Sequence, residues 1–186
     1  MKPPNIKGIS FLHLREFIRE NHGPEGLEKI CAAVRPAARQ IIELPLAMQW
    51  YPLEHLVDIE KKVAETFFGG DYKQAYRIGK YDLMKSIPGV YRPILIFMNP
   101  TYLLKRSETL WSTMVDCGEM RIAADLARRR GEATVRGLDP IHEVYCYDVS
   151  GSFAGAMNVC GEKGARVTHP ECVLKGGKCC RFELSW

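Results

Sequence analysis

The chain has 186 residues, 46% of them hydrophobic, which is enough to bury a core within a single domain. Lys plus Arg exceeds Asp plus Glu by four, and the excess is scattered except at Arg128-Arg129-Arg130; Gly131 and Glu132 follow that run, so it reads as a solvated hairpin turn rather than a nucleic-acid-binding stripe. The N-terminus lacks the apolar stretch of a signal peptide and the longest apolar run, Ile94 to Met98, is too short to span a bilayer, so with seven scattered cysteines the expectation is a cytoplasmic protein with reduced thiols and no transmembrane segment.

The first two thirds read as helix after helix. Ser10 is the expected N-cap for a helix over 11–20 in which Phe11, Leu14, Phe17 and Ile18 share one face, with Asn21-His22-Gly23 as its stop. Pro24 opens a short helix marked by Leu27, Ile30, Cys31 and Val34, and a third runs from Ala37 to Leu44 before Pro45. After Trp50-Tyr51-Pro52, the stripe Leu56, Ile59, Val63, Phe67 predicts a long helix closed by Gly69-Gly70. Asp71 caps the next, through about Ser86. Breaks at Pro88-Gly89 and Asn99-Pro100 enclose a short apolar helix, and Thr101 starts the last helix of this half, carrying Leu110, Trp111 and Met114.

At Cys117-Gly118 the period changes. Met120, Ile122, Ala124 and Leu126 alternate with polar or small residues as in a half-buried strand, and Ala133 and Val135 complete a hairpin. Pro140 opens a helix from His142 to about Asn158, whose Gly151, Ala154, Gly155 and Ala156 predict close packing against a sheet. A second hairpin follows, from Ala165 to Leu174 and then through Cys180, Phe182, Leu184 and Trp186, with Gly176-Gly177 as its turn. The fold class is therefore α+β: an N-terminal helical half, about 6–116, followed by hairpin-helix-hairpin forming a four-stranded antiparallel sheet, about 119–186, in one domain covering 1–186.

Catalytic constellations are thin. There is no phosphate-cradling glycine loop, no Gly-x-Ser-x-Gly elbow and no His-Glu-x-x-His motif, and His13, His22 and His55 read as helix-flank or turn residues. In the C-terminal quarter, by contrast, Cys146, His169, Cys172 and Cys180 offer the thiolate and imidazole ligands that tetrahedral zinc selects. Cys180 also shares the alternating face of Phe182 and Leu184, so it can equally be read as a small buried hydrophobe. Strand parity leaves the cysteine pair open. An even-residue turn, which Gly176-Gly177 suggests, puts Cys179 on the face of Cys172, an odd one puts Cys180 there, and a bulge reverses the answer.

Cys146 opening a small-residue helix, then His169-Pro170-Glu171-Cys172 and Gly176-Gly177-Lys178-Cys179-Cys180-Arg181-Phe182, resemble the 4-vinyl-reductase domain. That domain is a relative of TRAPP trafficking subunits and of haem-nitric-oxide-binding domains. Lys7-Gly8, His22-Gly23-Pro24-Glu25-Gly26-Leu27 and Trp50-Tyr51-Pro52-Leu53 extend the likeness to a paralogous family best known from myxobacteria and related deltaproteobacteria. The aromatic-sensing members hold zinc through a cysteine at the helix start, an acidic residue and two hairpin cysteines. The resemblance places these on Cys146, His169, Cys172 and Cys180, with imidazole replacing carboxylate, Glu171 as a competitor for His169, and Cys180 preferred to Cys179 because it directly precedes Arg181-Phe182.

The resemblance implies a non-catalytic, small-molecule-sensing or regulatory domain with a structural zinc site. Its ligand is expected to be a small apolar or aromatic molecule, in a pocket drawn from the stock Trp50, Tyr51, Phe67, Phe68, Tyr72, Tyr76, Phe97, Tyr102 and Trp111. A homodimer is expected, with a protein partner in a regulatory pathway; the alternative is a dimeric interaction scaffold like the trafficking subunits. Haem-based sensing requires an axial histidine in the helix before the sheet, and 71–117 contains none, so no haem is expected.

Overall fold

The computed structural model describes residues 3–87 and 100–186. Strand β1 (Asn5–Lys7) runs directly into helix α1 (Gly8–Ala33), and it pairs antiparallel with β2 (Trp50–Pro52), which opens helix α3 (Leu53–Phe67). Helix α2 (Pro36–Glu43) lies between, with proline in its first turn. Because β1 leads straight into α1, that helix starts at Gly8 with Lys7 in the cap position, and Ser10 is not the cap. Instead Ser10 is buried, and its Oγ donates to Asp82 Oδ2 at 3.1 Å. The stop expected at Gly23 is a kink. Gly23 takes φ 71°, ψ 178°, and the helix resumes at Pro24.

Asp71 caps as expected: its carboxylate accepts from the Lys73 N–H at 3.2 Å, a short 3₁₀ turn follows, and helix α4 (Ala75–Ser86) begins. The short apolar helix expected between Pro88-Gly89 and Asn99-Pro100 lies outside the described residues. Helix α5 (Pro100–Met114) leads to the hairpin of β3 (Glu119–Asp125) and β4 (Arg130–Arg136). Helix α6 (Glu143–Val159) and the strands β5 (Arg166–Glu171) and β6 (Cys180–Ser185) complete the chain. The four strands form one antiparallel sheet in the order β3-β4-β6-β5, so the two hairpins join through β4 and β6. The fold class is α+β, as expected.

The small-residue face of α6 meets a helix rather than the sheet. A Cβ at Gly151 would lie 2.0 Å from the Tyr76 carbonyl oxygen, and one at Gly79 only 1.8 Å from that of Asp148, so the backbones of α4 and α6 touch. Toward the sheet α6 presents larger groups, such as Phe153, whose ring lies 5.5 Å from that of Phe182. The core is continuous across both halves, from Phe11, Ile18 and Ile59 to Met120, Val135 and Phe182. Leu53, Leu56, Val57, Ile59 and Val63 of α3 are consumed in this core. No helix among the described residues is long and apolar enough to cross a membrane.

Candidate metal centre and ligand cavity

Three elements bring the four expected ligands together. Cys146 sits in the first turns of α6, His169 lies on β5, Cys172 follows β5 and precedes a 3₁₀ turn (Val173–Lys175), and Cys180 is the first residue of β6. Their ligand atoms all lie within 4.8 Å of one another, and the Cys172 sulfur is 3.8 Å from those of Cys146 and Cys180. Tetrahedral zinc with bonds of about 2.3 Å to sulfur spaces its sulfurs about 3.8 Å apart. The three cysteines are buried, and the His169 ring stacks on Phe182 with centroids 4.4 Å apart and planes 8° from parallel. His169 Nε2 is buried with no hydrogen-bond partner in the protein, a costly arrangement that a metal bond removes.

The backbone supports this arrangement. The Lys175 and Gly177 N–H groups donate to the Cys172 carbonyl at 3.0 and 2.9 Å, folding the chain into a tight knuckle. Gly176 takes φ 82°, and a Cβ at Gly177 would lie 2.8 Å from the Cys172 carbonyl oxygen. The neighbouring Cys146 thiol, above all, pushes the Cys180 thiol down to about 4, while Cys146 is held well above its ordinary value beside it. The cluster thus favours a thiolate among its sulfurs, which is the ligand state zinc needs.

Register explains why Cys180, rather than Cys179, joins the cluster. Val167 pairs with Leu184 and Thr168 with Glu183, but Glu171 pairs with Arg181, a one-residue shift at His169-Pro170. Extending the first register sets Cys172 opposite Cys179; the shifted register sets it opposite Cys180. Glu171, the competitor for His169, is outside the cluster. Its Oε1 accepts from the Lys178 N–H at 2.9 Å, which holds its carboxylate below the usual range.

On its other side α6 borders a cavity of about 180 Å³, walled chiefly by Trp111, Met114, Met120, Val149 and Phe153. Of the aromatic stock named from sequence, Trp111 lines it, Trp50 and Tyr102 are exposed, and Phe97 lies outside the described residues. The polar end, with Asp82, Asp148, Ser10 and Tyr145, was not legible in the sequence. Asp82 and Asp148 stand in helices with no motif around them, and only the α4–α6 contact makes them neighbours. Asp82 Oδ1 meets His13 Nδ1 at 2.5 Å, so His13 is a buried hydrogen-bond partner of Asp82 and not a flank residue.

Neither the protein-family models nor the curated proteins give a match to the chain. Solved structures do. An H-NOX protein from S. oneidensis in the Fe(II)NO ligation state superposes with TM-score 0.70 at 15% identity, covering 97% of this chain and 98% of that one. The chain has the H-NOX fold. A mutant of the Shewanella oneidensis H-NOX domain with one histidine replaced by glycine, in the Fe(II)CO ligation state, gives TM-score 0.70 at 16% identity, with 97% and 98% covered. A structure solved to probe haem distortion in the H-NOX family gives 0.67 at 12%, with 97% and 95% covered. At these identities the likeness is one of fold.

These neighbours overturn the expectation of no haem. It rested on a missing histidine, yet a neighbour lacking one of its histidines is in an Fe(II)CO ligation state on the same fold. The cavity lining also carries Tyr145, Met114 and Met120, and phenolate and thioether are both axial-ligand chemistries for haem.

Proposed function

We propose that the chain is a non-catalytic regulatory domain that binds a small molecule in the cavity behind α6 and holds one structural zinc ion through Cys146, His169, Cys172 and Cys180. The observation that carries this reading is that one helix serves both sites. Cys146 belongs to the metal cluster, while Tyr145, Asp148, Val149 and Phe153 line the cavity. A ligand that shifts α6 is felt at the final hairpin, and loss of the metal loosens the cavity wall; this is the coupling a regulatory domain needs. Four protein ligands close the coordination sphere and leave no position for a catalytic water, which supports a structural role.

The cysteine and glycine pattern of the last forty or so residues supports a 4-vinyl-reductase-type relationship, and the composition supports a cytoplasmic location. A dimeric scaffold is the second reading. It is favoured by one exposed apolar stretch between α2 and β2, where Leu44, Leu46 and Met48 are 72%, 57% and 80% exposed.

Native mass spectrometry of the full chain tests the proposal in one spectrum, with haemin titration followed by absorption as a companion. The expected result is one zinc per chain together with a bound small molecule, released on unfolding. A metal-free and ligand-free chain that takes up neither zinc nor any small molecule counts against it.

A further inference from the structure

The cavity is apolar except at one end, and that end carries only one sign of charge. Asp82 and Asp148 line it, and no Lys, Arg or His does so among the described residues. Asp82 is already engaged by His13 at 2.5 Å and by Ser10 at 3.1 Å. Behind Asp148 lies Glu60 on α3, fully buried, with its carboxyl beside that of Asp148 and neither oxygen meeting a hydrogen-bond donor in the protein. Three carboxyl groups thus lie close together, and of them Asp82 meets an imidazole. Even with Glu60 holding its proton beside Asp148, no basic group among the described residues other than the His13 imidazole is available to this cluster, so this end of the cavity lacks positive charge.

We infer that the cavity takes a small amine, its ammonium donating to the Asp148 carboxylate and its apolar body lying among Trp111, Met114, Met120 and Phe153. This rests on the reading of the cavity as the ligand site. An engineered apolar cavity of about 150 Å³ holds benzene, so 180 Å³ suits one ring with a short aminoalkyl arm. Trp111 adds an aromatic side chain to the wall. An anionic head group would meet no cation in this lining, and a neutral one would bring none to the Asp148 carboxyl.

The test is calorimetric titration of the full chain with four compounds that share a ring and differ in head group: benzylamine, benzyl alcohol, benzoate and toluene. Benzylamine is expected to bind about tenfold or more tighter than benzyl alcohol, with benzoate weakest. Asp148→Asn should weaken benzylamine by about tenfold and leave benzyl alcohol within about twofold. If that variant does not fold, the head-group order in the unmodified chain still decides. Benzylamine no tighter than benzyl alcohol overturns the amine and leaves the cavity as a ligand site. If none of the four binds, both readings fall.

Discussion

A one-residue register shift decides which of two adjacent cysteines faces the cluster. Pro170, at the shift, has no N–H to give to the ladder, and β5 is an edge strand where such an interruption is tolerated. Cys180→Ser should therefore abolish metal retention and destabilise the chain by about 3 kcal/mol or more, whereas Cys179→Ser should keep the metal. Metal content and denaturant midpoint measured on both variants separate the two outcomes. The four clustered residues could be named from sequence because thiols and imidazole stand out and the family resemblance chose among them. The choice between the cysteines could not, since a bulge leaves no compositional mark. Glu60 was wholly invisible, a single acidic residue on an otherwise amphipathic helix. Burial, with the charges of Asp148 and Asp82, holds its carboxyl well above the ordinary 4.5. In the folded chain it keeps its proton where the unfolded chain has lost it, so stability falls as pH rises from about 4.5 toward the raised value. Across that window the loss is about 1.4 kcal/mol per pH unit for one proton, and Glu60→Gln should flatten the profile. An unchanged slope in urea titrations of the metal-loaded Gln variant would assign the pH dependence elsewhere.

At the scale of elements, α4 and α6 meet backbone to backbone, and glycine is required where they do. Gly79→Ala and Gly151→Ala place a methyl about 2 Å from a carbonyl oxygen, so each should cost about 3 kcal/mol or more. At Gly155 the nearest atom, the Lys80 carbonyl oxygen, is 3.0 Å away and Gly155→Ala should cost about 1 kcal/mol. Equal midpoints for all three variants would contradict this packing. The sequence reading found the small-residue stripe of α6 but gave it the wrong partner. Small side chains report that something comes close, and only the tertiary arrangement says what. The same limit applies to Ser10, which has the residue type of an N-cap, although a preceding strand carries the helix past it. Periodicity was sufficient for α3 and for β3 and β4, where apolar spacing switches cleanly from about 3.6 to 2.

Across the whole molecule, the sheet and the helical half share a core. Met120, Val135 and Phe182 belong to the same buried cluster as Phe11 and Ile59, and α6 is covered by α4. We propose that 1–186 is one cooperative unit. A fragment spanning 119–186 should be unfolded or aggregated, and a soluble, protease-resistant fragment with dispersed amide resonances would argue for two domains. Hairpin-helix-hairpin order was legible because each segment has its own period. How the hairpins join, β4 on β6, follows from long-range pairing that local patterns do not encode. The link between cavity and metal through α6 is the claim on which the functional reading turns, and the metal is its most accessible part. Elemental analysis of the chain, purified without chelator and never passed over a nickel column, should give about one zinc per chain, lost together with folding stability on chelation. Less than about a tenth of an equivalent, with no uptake on adding zinc and no change in melting temperature, would contradict it.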